Sequence, residues 1–114
     1  MKVICKIWLE NGGKAFGEGP CELLRRVEKS SSLHQAAGEM GMSYSKAWKL
    51  VQTMEKRLGF VLLDRKVGGP SGGGSRVTPR GKDLLKRYER FEREAKKAVE
   101  ETYRRYFSRG RDTV

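Results

Sequence analysis

A mainly α-helical protein with a little β structure is expected from this sequence: a winged helix-turn-helix with an N-terminal β-hairpin and a long C-terminal helix. Three observations lead there. Two helical patterns between Ser32 and Gly59 are separated by a short break containing Gly41. A glycine-rich stretch then lies between two strand-like runs, and a charged pattern of helical period fills residues 80–107.

The elements follow in order. Residues 2–9, KVICKIWL, are rich in β-branched and aromatic types and predict a strand. Asn11-Gly12-Gly13 is a strong hairpin turn, so Lys14 to Gly17 should return as a second strand. Pro20 suits a first helical turn, and Leu23, Leu24 and Val27 recur at helical spacing up to Ser30. Ser31 or Ser32 can cap the next helix, which Gly41 should end. Ser43 can cap another, Tyr44 to about Arg57, closed by Gly59. FVLLDR and RVT read as paired strands, and one long helix runs from Pro79 or Arg80 to Phe107. The expected division is 1–79 for the winged helix-turn-helix (helix pair 32–59, wing 60–79), 80–107 for a dimerisation helix, and 108–114 for a flexible tail.

With 114 residues the chain is one domain able to bury a core without staples. Lys and Arg number 25 against 14 Asp and Glu, a net charge of +11, which suits a polyanionic partner, nucleic acid first and anionic membrane second. No apolar run is long enough to span a membrane, and the start is too short and too charged for a signal peptide, so a cytoplasmic location is expected. Two cysteines far apart and a single histidine supply neither a CxxC pair nor a zinc ligand set; two reduced thiols, at least one of them buried, are expected. No metal site, no cofactor and no catalytic residue is assigned, since neither a nucleophile–base pair nor paired carboxylates stand out.

In the helix pair, Leu33, Ala36, Ala37 and Met40 line one face, and Ala47, Val51, Met54 and Leu58 line the other. Small Ala37 allows close approach, and Gly41 makes the turn. That geometry leaves the start of the second helix projecting, as a DNA major groove requires. Ser43, Tyr44, Ser45, Lys46 and Lys49 are the candidate base readers there. A solvated helix start is the plainer alternative. Trp48 is expected to pack against a neighbouring element rather than touch DNA, and His34 to be exposed.

The stretch Gly68-Gly69-Pro70-Ser71-Gly72-Gly73-Gly74 could be a phosphate cradle or a hairpin tip. A Walker loop needs Lys-Ser/Thr after the last glycine and then a helix. Here Ser75-Arg76 follows and then Val77-Thr78-Pro79, so the cradle fails. The tip of a wing fits, with Arg65, Lys66, Arg76 and Arg80 placed to hold DNA backbone or minor groove.

At these residues the sequence resembles the N-terminal DNA-binding domain of the ModE family of molybdate-responsive regulators. MSYSKAWKLVQTME and GGPSGGGSRVTPRG carry the likeness, which covers roughly residues 20–107; between Ser32 and Arg65 a LysR-type helix-turn-helix is also similar. The resemblance implies a sequence-specific regulator of double-stranded DNA. It implies molybdate sensing only through C-terminal domains that this chain is not expected to carry, which leaves room for a separate effector-binding partner protein.

Leu84, Tyr88, Phe91, Ala95, Ala98, Thr102 and Tyr106 recur at steps of four and three, the spacing of a coiled-coil seam. A homodimer through this helix is expected, and ModE-like proteins are similar in that respect. Two alternatives to a specific regulator stay open: a sequence-tolerant architectural DNA binder, and a protein-interaction module.

Overall fold

The computed structural model describes residues 1–66 and 74–107. The order is β1 Trp8–Glu10, β2 Lys14–Gly17, α1 Glu18–Ser30, α2 Leu33–Glu39, α3 Tyr44–Leu58, β3 Leu63–Lys66, β4 Gly74–Val77 and α4 Pro79–Tyr106. Two separate antiparallel hairpins, β1–β2 and β3–β4, flank the three short helices. This is the winged helix-turn-helix that the sequence predicts. The glycine tip of the wing and the tail 108–114 lie outside the described residues.

Side-chain oxygens start three of the helices. Ser32 accepts from the Gln35 N–H, Ser43 from the Lys46 N–H and Thr78 from the Gly81 N–H, each satisfying a donor the helix cannot pair internally. Gly41 and Gly59 turn the chain at the ends of α2 and α3 with φ of 71° and 85°, a region closed to most side chains. Between them, Ala36, Ala37, Ala47 and Val51 are fully buried, so α2 and α3 touch through small residues.

The first strand is shorter than the residues suggest. Val3, Cys5 and Ile7 are half-buried while Lys2, Ile4 and Lys6 are exposed, the alternation of a strand. Yet only Trp8–Glu10 pairs, because α1 begins at Glu18 and leaves just four residues on the returning side. The wing's first strand likewise begins at Leu63 rather than Phe60. Upstream, the Glu55 carboxylate accepts from the N–H groups of Leu62 (2.7 Å) and Leu63 (3.2 Å), while Thr78 donates its hydroxyl to Val61 O and its N–H to Leu62 O. Those bonds replace a strand partner and fix where the wing leaves the domain. On its other flank Ser75 donates to Ser31 O, and a Cβ on Gly74 would lie 2.7 Å from that same oxygen. Only glycine fits so close a crossing.

The core gathers Phe16, Leu23, Leu24, Val27, Leu33, Met54, Leu62, Leu85 and Tyr88. Cys21 is buried among them, and burial followed by the neighbouring Glu89 pushes its thiol up to about 12, so it stays protonated at neutral pH. Both cysteines are free thiols.

α4 joins the domain through ion pairs as well as burial. Arg25 of α1 donates through Nε to Glu89 (2.9 Å), through Nη2 to the same carboxylate, and through Nη1 to Glu28 (2.7 Å). The hydrogen bonds from Arg25 hold the Glu89 carboxyl below its usual range. A depressed carboxyl adds stability above its unfolded value and loses it as pH falls through the folded value. Glu89→Gln will therefore cost about 1 kcal/mol at most at pH 7, since the pair is one-third exposed, and the gap to wild type will narrow as pH is lowered to about 4, just below the ordinary glutamate value. Urea unfolding at the two pH values checks this.

Candidate nucleic-acid interface

The first turn of α3 is where the helix pair projects. The Ser43 hydroxyl caps that turn, which leaves its hydrogen and one lone pair to face outward. Ser45, Lys46 and Lys49 are exposed, with no carboxylate paired to either lysine among the described residues. The backbone N–H groups of this turn and the helix dipole favour an anion at the same place.

Tyr44 is different. It is half-buried, and its hydroxyl accepts from Arg65 Nη2 of β3. Trp48, one turn further along α3, is half-buried with the Arg65 guanidinium 4.4 Å from its ring centre. The element Trp48 packs against is thus the first wing strand. His34 is exposed on α2, its ring 5.9 Å from that of Tyr44. Sequence spacing shows that Tyr44 and Trp48 share a face, but not that an arginine from beyond the helix lies on it.

The wing residues divide. Arg76 is exposed on β4, opposite Asp64, and Arg65 stands opposite Ser75. Lys66 ends β3 opposite Gly74, just before the glycine tip. Arg80 does not join them. Its guanidinium lies 4.3 Å from the ring of Phe60, beyond the C-terminal end of α3, and so is removed from the recognition turn by most of that helix's length, about 22 Å. The start of α4 packs on Leu62 and Val77 at Gly81, which aims Arg80 toward Phe60.

The seam residues also divide. Tyr88 is 2% exposed, edge-on to Phe16 at 5.2 Å, with its hydroxyl donating to Ile7 O at 2.8 Å. It belongs to its own chain's core and leaves the seam, because the inward stripe Gly81, Leu85, Tyr88 runs beside the seam on the same helix. Leu84 is half-buried beside Phe60. Phe91 and Tyr106 are 52% and 68% exposed, Ala98 and Thr102 are exposed, and Ala95 is half-buried. Ala98, Thr102 and Tyr106 line a groove of about 410 Å³ with Val3, Val99 and Tyr103.

Among the described residues no helix is long and apolar enough to cross a membrane, and no group of three His, Cys, Asp or Glu side chains could hold a metal ion.

Comparison with known proteins agrees with this geometry. The family of bacterial regulatory helix-turn-helix proteins, lysR family, matches residues 21–82. The molybdenum-pterin-binding protein MopB of Rhodobacter capsulatus is 36% identical over 80 residues, covering 70% of this chain and 30% of that protein. The transcriptional regulator ModE of Haemophilus influenzae is 37% identical over 71 residues, 62% of this chain and 28% of its own length. The DNA-binding transcriptional dual regulator ModE of Escherichia coli K12 is 34% identical over 67 residues, 59% of this chain and 26% of its own. The chain thus spans less than a third of the length of these relatives.

Proposed function

This chain belongs to the lysR family of bacterial regulatory helix-turn-helix proteins, and from that premise we propose that it is a sequence-specific regulator of double-stranded DNA. The first turn of α3 enters the major groove, where Ser45, Lys46 and Lys49 meet bases and phosphates, and the wing, with Arg76 and Lys66, lies along the backbone or minor groove. One observation carries the reading: an exposed, cationic helix start, capped by Ser43 and flanked by a basic wing, on a chain of net charge +11.

The protein works as a homodimer in the cytoplasm, by binding and not by catalysis. A second copy covers the face of α4 formed by Phe91, Ala95, Ala98, Thr102 and Tyr106. α4 is 28 residues long, about 42 Å, while its buried residues all lie before Phe91, so the second half needs another partner. A two-fold axis through that half would present two recognition helices to successive turns of one DNA face. No cofactor is assigned to these residues. Molybdenum-linked regulation, suggested by the name of the molybdenum-pterin-binding protein MopB, would reach this protein through an effector-binding partner or a further domain.

Selection from a random pool of duplexes at about 150 mM salt tests the reading. Enrichment of one inverted repeat supports it, whereas an unenriched pool favours an architectural binder.

A further inference from the structure

Arg65 meets the two rings of α3 in a way that a loose wing cation would not. Tyr44 and Trp48 are four residues apart and project from one face of α3. The guanidinium lies 4.4 Å from the Trp48 ring centre and 5.9 Å from that of Tyr44, and Nη2 donates to the Tyr44 hydroxyl. His34 of α2 backs the Tyr44 ring at 5.9 Å and an interplanar angle of 34°. An arginine stacked this way has its plane fixed, while the donors at its edge stay in that plane. No carboxylate among the described residues claims them.

The fixed plane decides between two uses. A phosphate asks only for positive charge, which the flexible lysines of α3 already offer. A guanine edge, with O6 and N7 side by side, asks for two donors in one plane at a set orientation. The position decides likewise: Arg65 leans on the first two turns of α3, at the part of the helix that faces the groove.

We propose that Arg65 reads a guanine in the major groove beside the recognition turn, and that Trp48 and Tyr44 are positioning residues that hold its guanidinium for that contact. This rests on the proposed DNA-binding function. It moves Arg65 from the wing's backbone contacts to base recognition.

The test uses the duplex enriched by the wild-type protein, together with variants of it in which each G·C pair is replaced singly by A·T. Wild type should discriminate at one such pair by about 5- to 150-fold. Arg65→Lys keeps the charge and loses the planar fork. Lysine can still donate to O6 or N7 as a point charge, so the change should cut discrimination at that pair several-fold without abolishing it, preserve it elsewhere, and leave the salt dependence unchanged. Trp48→Leu should blunt the same pair alone, and Trp48→Phe, which retains a ring, should restore most of it; thermal melting follows the fold of both. Arg65 is exposed, so Arg65→Lys remains the deciding variant should Trp48→Leu melt early. Unchanged discrimination in Arg65→Lys, or equal weakening on every duplex, would overturn the proposal while leaving DNA binding intact. Failure of the wild-type protein itself to retain any duplex would instead overturn DNA binding, and this inference with it.

Discussion

Replacing Lys46 by alanine will weaken binding to the preferred duplex by about 1–3 kcal/mol and relax the choice at one base pair. The fold will not suffer. Lys46 is exposed, and its backbone N–H, not its side chain, is what Ser43 caps. Alanine is also the better helix former. Adding Lys49→Ala will deepen the loss on all duplexes alike and lower the salt slope by about one, as removal of a phosphate contact should. Titrations of the preferred duplex and its single-pair variants at several salt concentrations separate the two effects. Undiminished affinity and preference in Lys46→Ala would mean that the first turn of α3 is not the reading surface.

Tyr88→Ala will cost about 3–5 kcal/mol of stability, and Tyr88→Phe only about 1 kcal/mol. The alanine variant empties a fully buried site against Phe16; the phenylalanine variant loses only the hydroxyl that reaches Ile7 O and Glu92. Chemical denaturation at fixed protein concentration measures both, since a dimer's apparent stability depends on concentration. Tyr88→Phe should leave the proposed dimer intact, whereas Phe91→Ala or Tyr106→Ala should weaken it. A dimer that dissociates in Tyr88→Phe would return Tyr88 to the interface.

The helix pair was legible because each feature has a local cause. Ser32 and Ser43 are caps, Gly41 and Gly59 are turns, and Ala36, Ala37 and Ala47 sit at the spacing that lets two helices touch. The wing was legible from the runs on either side of its glycines. What failed depends on direction rather than type. A step of four and three locates a stripe on α4, but the inward stripe of Leu85 and Tyr88 adjoins the outward one, and the spacing cannot assign Tyr88 between them. Arg80 is a similar case: position next to the wing does not reveal that its guanidinium lies over Phe60. The stacking of Arg65 joins residues 17 and 21 positions apart, so it exists only once β3 has folded across α3. Glu55, which organises the chain between α3 and β3, has the sequence surroundings of any exposed helical carboxylate.

Specific recognition by the start of α3 stands or falls on the ratio of two affinities. The enriched duplex and a scrambled duplex of equal composition should be titrated with the full chain from about 50 to 200 mM salt. Both affinities should fall as salt rises, with the enriched duplex held about 1,000-fold or more tighter at the upper end. Equal affinity for the two duplexes at every salt concentration would contradict specific recognition.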